Sequence, residues 1–224
     1  MTPEVIVFDV NETLSDMSGL ETRLTDTGIP ADSVQGWFTA VLRDGFALTA
    51  AGGTADFDSI AGEELRRRLE GVCSPDRARA AARHVIDGIG DLDVHPDVPE
   101  GIHRLRDHGF RLVTMTNGSV SSTDRLLRGA GLREHFELLL SSRQARTWKP
   151  ARTAYQHVVR ETRLTAERVL LVAVHPWDID GARRAGLGAA WIRRSAPAYP
   201  SYTTPPTLIA EDLVDLASQL AETH

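Results

Sequence analysis

The stretch Glu4-Val5-Ile6-Val7-Phe8-Asp9-Val10-Asn11-Glu12-Thr13-Leu14 decides how the rest of the chain is read. Val5 to Phe8 is a short apolar run rich in β-branched residues, the pattern of a strand buried on both faces inside a parallel sheet. It stops at an acid, and polar residues come after it. Open α/β sheets bind ligands beyond the C-terminal ends of such strands. Asp9 would there be rigidly held and partly desolvated, which suits a nucleophile. A strand closed by a polar loop, with Asp9 merely capping the next segment, accounts for these residues equally well.

On its C-terminal side, residues 16 to 92 carry no strand pattern. Helical patterns run around Leu20 to Asp26, from Ala31 to Ala50, from Phe57 to Leu69 and from Pro75 to Ile89. Pro30 and Pro75 fit helix starts, where a fixed φ suits the first turn. Gly28, Gly52-Gly53 and Gly90 fit their ends. Ser74-Pro75-Asp76 reads as a helix N-terminus with an acid in its first turn. A helical block placed directly after a first strand is expected to lie as a cap over the strand ends, closing a site from water.

From Val98 onward helix and strand alternate. Helices are predicted over Pro99 to His108, Ser122 to Ala130, Ala151 to Glu161, Asp178 to Ala185 and Asp212 to Ala221. Strands are predicted over Phe110 to Met115, Glu137 to Leu140, Val169 to Val174, Gly188 to Ile192 and Leu208-Ile209, with Ser195 to Pro206 as a surface loop. Such alternation implies an α/β fold, a doubly wound parallel sheet with helices on both faces. The expected division is a core of residues 1 to 14 and 94 to 224, with residues 15 to 93 as an inserted helical cap.

Composition narrows the function classes. The chain has 224 residues, 42% hydrophobic and 25% charged, with a formal net charge of -6. That balance argues against a nucleic-acid surface, which needs a net basic face. The single cysteine, Cys73, excludes an internal disulfide and fits a reducing cytoplasm. No basic-then-apolar leader precedes Val5 and no apolar run reaches membrane-span length, so no membrane role is expected.

Polar stations fall at predicted strand ends or in the loops after them: Asp9 to Thr13, Thr116-Asn117, Lys149-Pro150, and His175 to Asp178. Parallel strands bring such stations to one edge. With the helical block, they resemble the haloacid dehalogenase superfamily over nearly the whole chain. The matching pieces are Phe8-Asp9-Val10-Asn11-Glu12-Thr13-Leu14, Thr116-Asn117-Gly118, Lys149-Pro150 with Tyr155, and Trp177-Asp178 with Gly181-Ala182. Within that superfamily the chain is most similar to the type II 2-haloacid dehalogenases. The resemblance implies a Rossmann-like core with a helical cap, a small anionic substrate, no cofactor, no metal, and a homodimer.

The same resemblance implies a role for each station. Asp9 attacks an electrophilic carbon or phosphorus and forms an ester. Lys149 balances the charge of Asp9 and Asp178; a lone Lys-Pro would otherwise read as a solvated loop. Asp178 orients or deprotonates the hydrolytic water, or caps a helix. Thr13 and Thr116 offer hydroxyls, Asn117 an amide, and Val10, Asn11 and the Gly118-Ser119 turn border the substrate; Asn117-Gly118 is also a common plain turn. Trp37 and Trp177 would wall an apolar pocket, or simply pack. Arg43 would reach a leaving halide, or lie on a solvated helix face. His175 would replace a polar partner, titrate near neutral pH as a second base, or bond a backbone group.

Two departures weigh against a Mg2+-dependent phosphatase. Asn11 stands where such enzymes carry a general acid, and Ala173 to Asp178 supplies one acid where they bring a pair. The dehalogenase pattern also has gaps: Tyr-Gly is usual at Asn11-Glu12, Ser-Ser-Asn near Ala173-Val174-His175, and an Arg near Phe38. Three readings stay open: a metal-independent 2-haloacid dehalogenase, a Mg2+-dependent phosphatase of small esters, and a catalytically weak ligand-binding member.

Overall fold

A computed structural model describes residues 3–30, 33–194 and 198–222. A six-stranded sheet, parallel throughout, runs in the order β3-β2-β1-β4-β5-β6. The strands are β1 Val5–Phe8, β2 Arg111–Thr116, β3 Phe136–Ser141, β4 Val169–Ala173, β5 Gly188–Ile192 and β6 Leu208–Ala210. β1 is central because its four residues are apolar on both faces and fully buried. The alternation of a strand divides them cleanly. Ile6 and Phe8 join Ile102, Leu105, Leu213 and Leu216 on one face, while Val5 and Val7 join Tyr155, Val158, Ile179 and Leu171 on the other. Each such side chain contributes roughly 1.5–3 kcal/mol by leaving water.

Ten helices accompany the strands among the described residues. They are α1 Leu20–Asp26, α2 Ser33–Ala50, α3 Phe57–Arg68, α4 Pro75–Gly88, α5 Val98–Asp107, α6 Val120–Gly129, α7 Ser142–Ala145, α8 Arg152–Thr162, α9 Pro176–Ala185 and α10 Leu213–Ala221. Between β1 and α5 the described residues form no strand, only α1 to α4 and short 3-10 turns. The expected start of α2 at Ala31 lies outside the described residues, as do Ser195 to Pro197 of the expected loop.

Several boundaries sit one or two residues from expectation, for reasons of capping. α6 begins at Val120 because the Ser119 hydroxyl accepts the Ser122 N–H at 3.1 Å. α9 begins at Pro176, with His175 rather than Asp178 as the N-cap. Asp212 caps α10 by accepting the Asp215 N–H at 2.8 Å. The short α7 is not among the expected helices; Ser141 and Gln144 form a capping box that sustains it.

The four helices before α5 bury their own cluster, with Leu24, Trp37, Val41, Phe57, Leu65 and Val85 at its centre. Val10, Leu126 and Trp148 enter the same cluster from the sheet side. Trp148 lies flat against α2, where a Cβ on Gly45 would stand 2.4 Å from its ring, and its indole N–H reaches the Ala55 carbonyl at 2.8 Å. Only glycine permits that approach. The helical block is thereby seated directly on the loop that carries Lys149.

Candidate active site

β1 pairs β2 on one side and β4 on the other, so the loops after β1 and β4 leave in opposite directions and open a crevice at the sheet's C-terminal edge. Asp9, the first residue beyond β1, sits in it, its N–H bound to the Val172 carbonyl at 3.0 Å. Asp9 is 4% exposed, and its carboxylate is fully engaged. Lys149 Nζ donates to Oδ1 at 2.8 Å; the Thr13 hydroxyl donates to Oδ2 at 2.9 Å, and His175 Nδ1 meets the same oxygen at 2.9 Å. Burial alone would push Asp9 up, but the Lys149 charge and the His175 bond outweigh it and hold the acid well below the usual carboxylate range.

Lys149 has no exposed side-chain surface, and its ammonium bridges Asp9 and Asp178, reaching Asp178 Oδ2 at 2.5 Å. Burial works against its charge, yet the two acids hold its pKa above the ordinary lysine value. The Tyr155 hydroxyl donates to Asp178 Oδ1 at 2.6 Å, so both carboxylate oxygens are taken in a group with no accessible surface. Burial lifts the Asp178 pKa, and Lys149 only partly offsets this.

Glu12 and His175 extend the network outward. His175 Nε2 lies 2.8 Å from Glu12 Oε2, so the ring spans two carboxylates instead of bonding a backbone group. Burial opposes the imidazolium, but Asp9 and Glu12 raise its pKa to about 9, above the near-neutral value expected from the sequence. Glu12 holds φ at 63°, in the left-handed region that costs an ordinary residue roughly 1–2 kcal/mol. His95 Nε2 meets its carbonyl at 3.0 Å. Trp177 stacks on His175 at 5.0 Å and meets Phe46 of α2 edge-on.

The raised histidine ties stability to pH. Its contribution should be fully present below about 6.5, the ordinary histidine value, and lost as pH rises through about 9, with a size on the order of 3 kcal/mol. The stability gap between wild type and His175→Gln in denaturant melts should therefore narrow from pH 6 to pH 10. A gap independent of pH over that range would contradict a charged His175.

Of the residues singled out from the sequence, Asp9, Thr13, Lys149, Asp178, His175 and Trp177 come together. Asn11, Val10 and Thr116 line an adjoining cavity with Phe57, Asp58 and Ser119, whose volume of about 10 Å³ is near that needed for one water. The Asn117 amide donates to the Lys149 carbonyl at 3.1 Å and accepts the Lys149 N–H at 2.8 Å, so it positions the lysine. Trp37 is fully buried among the cap helices with its indole N–H on the Ala61 carbonyl, and does not wall the cavity. Arg43 also falls outside: its side chain is 62% exposed and pairs with Asp44 at 2.7 Å. Tyr155 and Glu12 carry roles that the sequence reading does not assign, although Tyr155 is among the residues that carry the resemblance and sits one helical turn into α8, behind Lys149-Pro150.

No group of three or more His, Cys, Asp or Glu side chains among the described residues is arranged to hold a metal. The space between Asp9 and Asp178 is filled by the Lys149 ammonium, which a divalent ion would have to displace.

Comparison with known proteins agrees with this geometry. The haloacid dehalogenase-like hydrolase family model matches residues 3–186. The chain is 32% identical to haloacetate dehalogenase H-2 of Moraxella sp. (strain B) over 120 residues, which is 51% of this chain and 54% of that one. It thus spans about half the length of that relative, and of a second at the same identity. It is 23% identical to (S)-2-haloacid dehalogenase H-109 of Pseudomonas putida over 98% of both chains. The L-2-haloacid dehalogenase of Xanthobacter autotrophicus superposes with a TM-score of 0.89 over 100% of both chains at 20% identity, a likeness of fold. With the family model covering most of its length, the chain belongs to the haloacid dehalogenase-like hydrolases.

Proposed function

We propose that the protein hydrolyses the carbon–halogen bond of small 2-haloacids without a metal, through an ester on Asp9. The observation that carries this reading is the Asp9 carboxylate, held ionised by Lys149, Thr13 and His175 just beyond the C-terminal end of β1. A strongly ionised carboxylate can displace a halide, which leaves as an anion and needs no proton. Asn11, at the second position after Asp9, cannot protonate an alkoxide leaving group. The products are halide and a 2-hydroxy acid. Kinship with relatives named as haloacid dehalogenases supports the same class.

Thr116, Asn11 and the Ser119 and Ser122 hydroxyls are the polar groups available to the substrate carboxylate. Asp58 also lines the cavity, and burial, then Asp56 and Asp87, raise its pKa. Residues 15 to 93 act as a cap over a core of residues 1 to 14 and 94 to 224, a division supported by the cluster that the four helices bury against Val10, Leu126 and Trp148. The net charge of -6 supports a small-molecule rather than a nucleic-acid partner. No helix of the described residues is long and apolar enough to cross a membrane. The lone Cys73 supports a cytoplasmic setting, and kinship supports a homodimer.

Chloride release from (S)-2-chloropropionate and phosphate release from p-nitrophenyl phosphate, each with Mg2+ and with EDTA, test the proposal. Chloride release unaffected by EDTA is expected, with no phosphate release. Strict Mg2+ dependence, or phosphate release alone, would overturn it.

A further inference from the structure

Resting on the ester chemistry just proposed, we infer that His175, oriented by Glu12, is the base that activates water against the Asp9 ester. Asp178 is poorly placed for that task. Both its oxygens are engaged, by Lys149 and Tyr155, and its side chain has no accessible surface. His175 keeps 12% of its side chain exposed and places Nδ1 2.9 Å from Asp9 Oδ2, beside the carbon that water must attack. On its far side Nε2 lies 2.8 Å from Glu12 Oε2. Nucleophile, imidazole and carboxylate thus stand in a line, with the outer carboxylate fixing the ring's orientation and tautomer.

Glu12 is held there at a conformational cost. Its φ of 63° is unfavourable for a side chain with a Cβ, and the His95 contact to its carbonyl and the His175 contact to its carboxylate maintain it. Trp177, stacked on the ring, and Phe38, 6.2 Å away in α2, confine it further.

The charge state of His175 changes at the moment the base is needed. Before reaction it is an imidazolium between two anions. Displacement of halide by an Asp9 oxygen turns that carboxylate into a neutral ester. His175 then faces the Glu12 carboxylate directly, with Lys149, Asp178 and His95 as the other titratable groups around it. Having lost one of its two anions, it releases the Nδ1 proton to solvent. Water next gives a proton to Nδ1 while its oxygen bonds to the Asp9 carboxyl carbon. Collapse breaks the bond from that carbon to the ester oxygen, which came from Asp9 and leaves on the product, and the departing alkoxide takes the proton from His175. The resulting Asp9 acid returns its own proton to His175 and restores the starting pair. One proton and one halide leave per turnover, as the overall hydrolysis requires.

The test uses His175→Gln, Glu12→Gln and wild type, with (S)-2-chloropropionate, following chloride by rapid quench and the ester by intact-protein mass. His175→Gln is expected to release about one chloride per chain in a burst, retain the substrate's propionate unit on Asp9, and turn over about 10²–10⁴-fold more slowly. Glu12→Gln, as a positioning variant, should slow ester hydrolysis and move the rise of its pH–rate profile to lower pH, a shift that a purely structural role would not produce. Should His175→Gln fail to fold, that shift decides alone. Turnover of His175→Gln at the wild-type rate, or absence of the chloride burst in a folded His175→Gln protein, would overturn the assignment. So would an unmoved profile in Glu12→Gln. A wild-type protein that releases no chloride removes the dehalogenase reading itself, and this assignment with it.

Discussion

Replacing Asp9 by Asn is expected to lower chloride release about 10⁴-fold or more while leaving the fold in place, the size of loss seen when a covalent nucleophile is removed. The amide is nearly isosteric with the carboxylate but is a poor nucleophile. The charge arrangement explains why folding tolerates the change. Three acids, Asp9, Asp178 and Glu12, share two cations, Lys149 and His175. Without the Asp9 charge each cation still has a carboxylate, Asp178 for Lys149 and Glu12 for His175. The remaining cost is weaker hydrogen bonding at the amide, about 1–3 kcal/mol. Chloride release by freshly purified variant, with its mass confirming the amide, gives the first quantity and denaturant melts give the second. More than about one hundredth of wild-type turnover would identify another attacking group.

Much of this site is legible along the chain because a parallel sheet does the gathering. Once Val5 to Phe8 is read as a buried strand, the polar residues beyond it and beyond the later strands must meet at one edge. That rule gathers the stations that hold Asp9, Thr13, Lys149 and Asp178, and the family resemblance picks these four out within them. What fails is any role that depends on which way a helix faces. Trp37 lies on the buried stripe of α2 with Val34, Phe38 and Val41, at the three- and four-residue spacing of a packed helix face. Arg43 is two residues past Val41, about 200° round the helix, and so meets solvent and Asp44.

Contacts between side chains and distant loops are equally hidden. The use of Asn117 depends on the backbone of a residue 32 positions later, and Glu12 meets His175 across 163. No local pattern records either pairing. The strained φ of Glu12 is likewise invisible until the backbone is traced, and it marks the residue that gives His175 its second acid.

Lys149 differs from Asp9 in what its removal should do. Lys149→Met keeps the side chain's length and apolar body but leaves the three acids with one cation. Two of them, Asp9 and Asp178, are buried within reach of the missing ammonium. Removing one partner from a buried ion pair typically costs about 3–5 kcal/mol, because the other charge is stranded. A loss of that size is expected at neutral pH, together with a fall in turnover of about 10³-fold or more as Asp9 loses its main source of ionisation. The deficit should also depend on pH in a set direction. Burial already lifts the Asp178 pKa with the lysine present, and without it the acid rises further above its unfolded value. A carboxylate raised in the folded state binds more protons there than in the unfolded chain, so stability falls as pH rises through the unfolded value toward the folded one. The gap between variant and wild type should therefore shrink as the solution is acidified and the stranded acid takes up a proton. Denaturant melts of both proteins from pH 8 to pH 5 measure this. A variant as stable as wild type at pH 8, or a gap that widens toward pH 5, would show that the ammonium does not hold the two acids together.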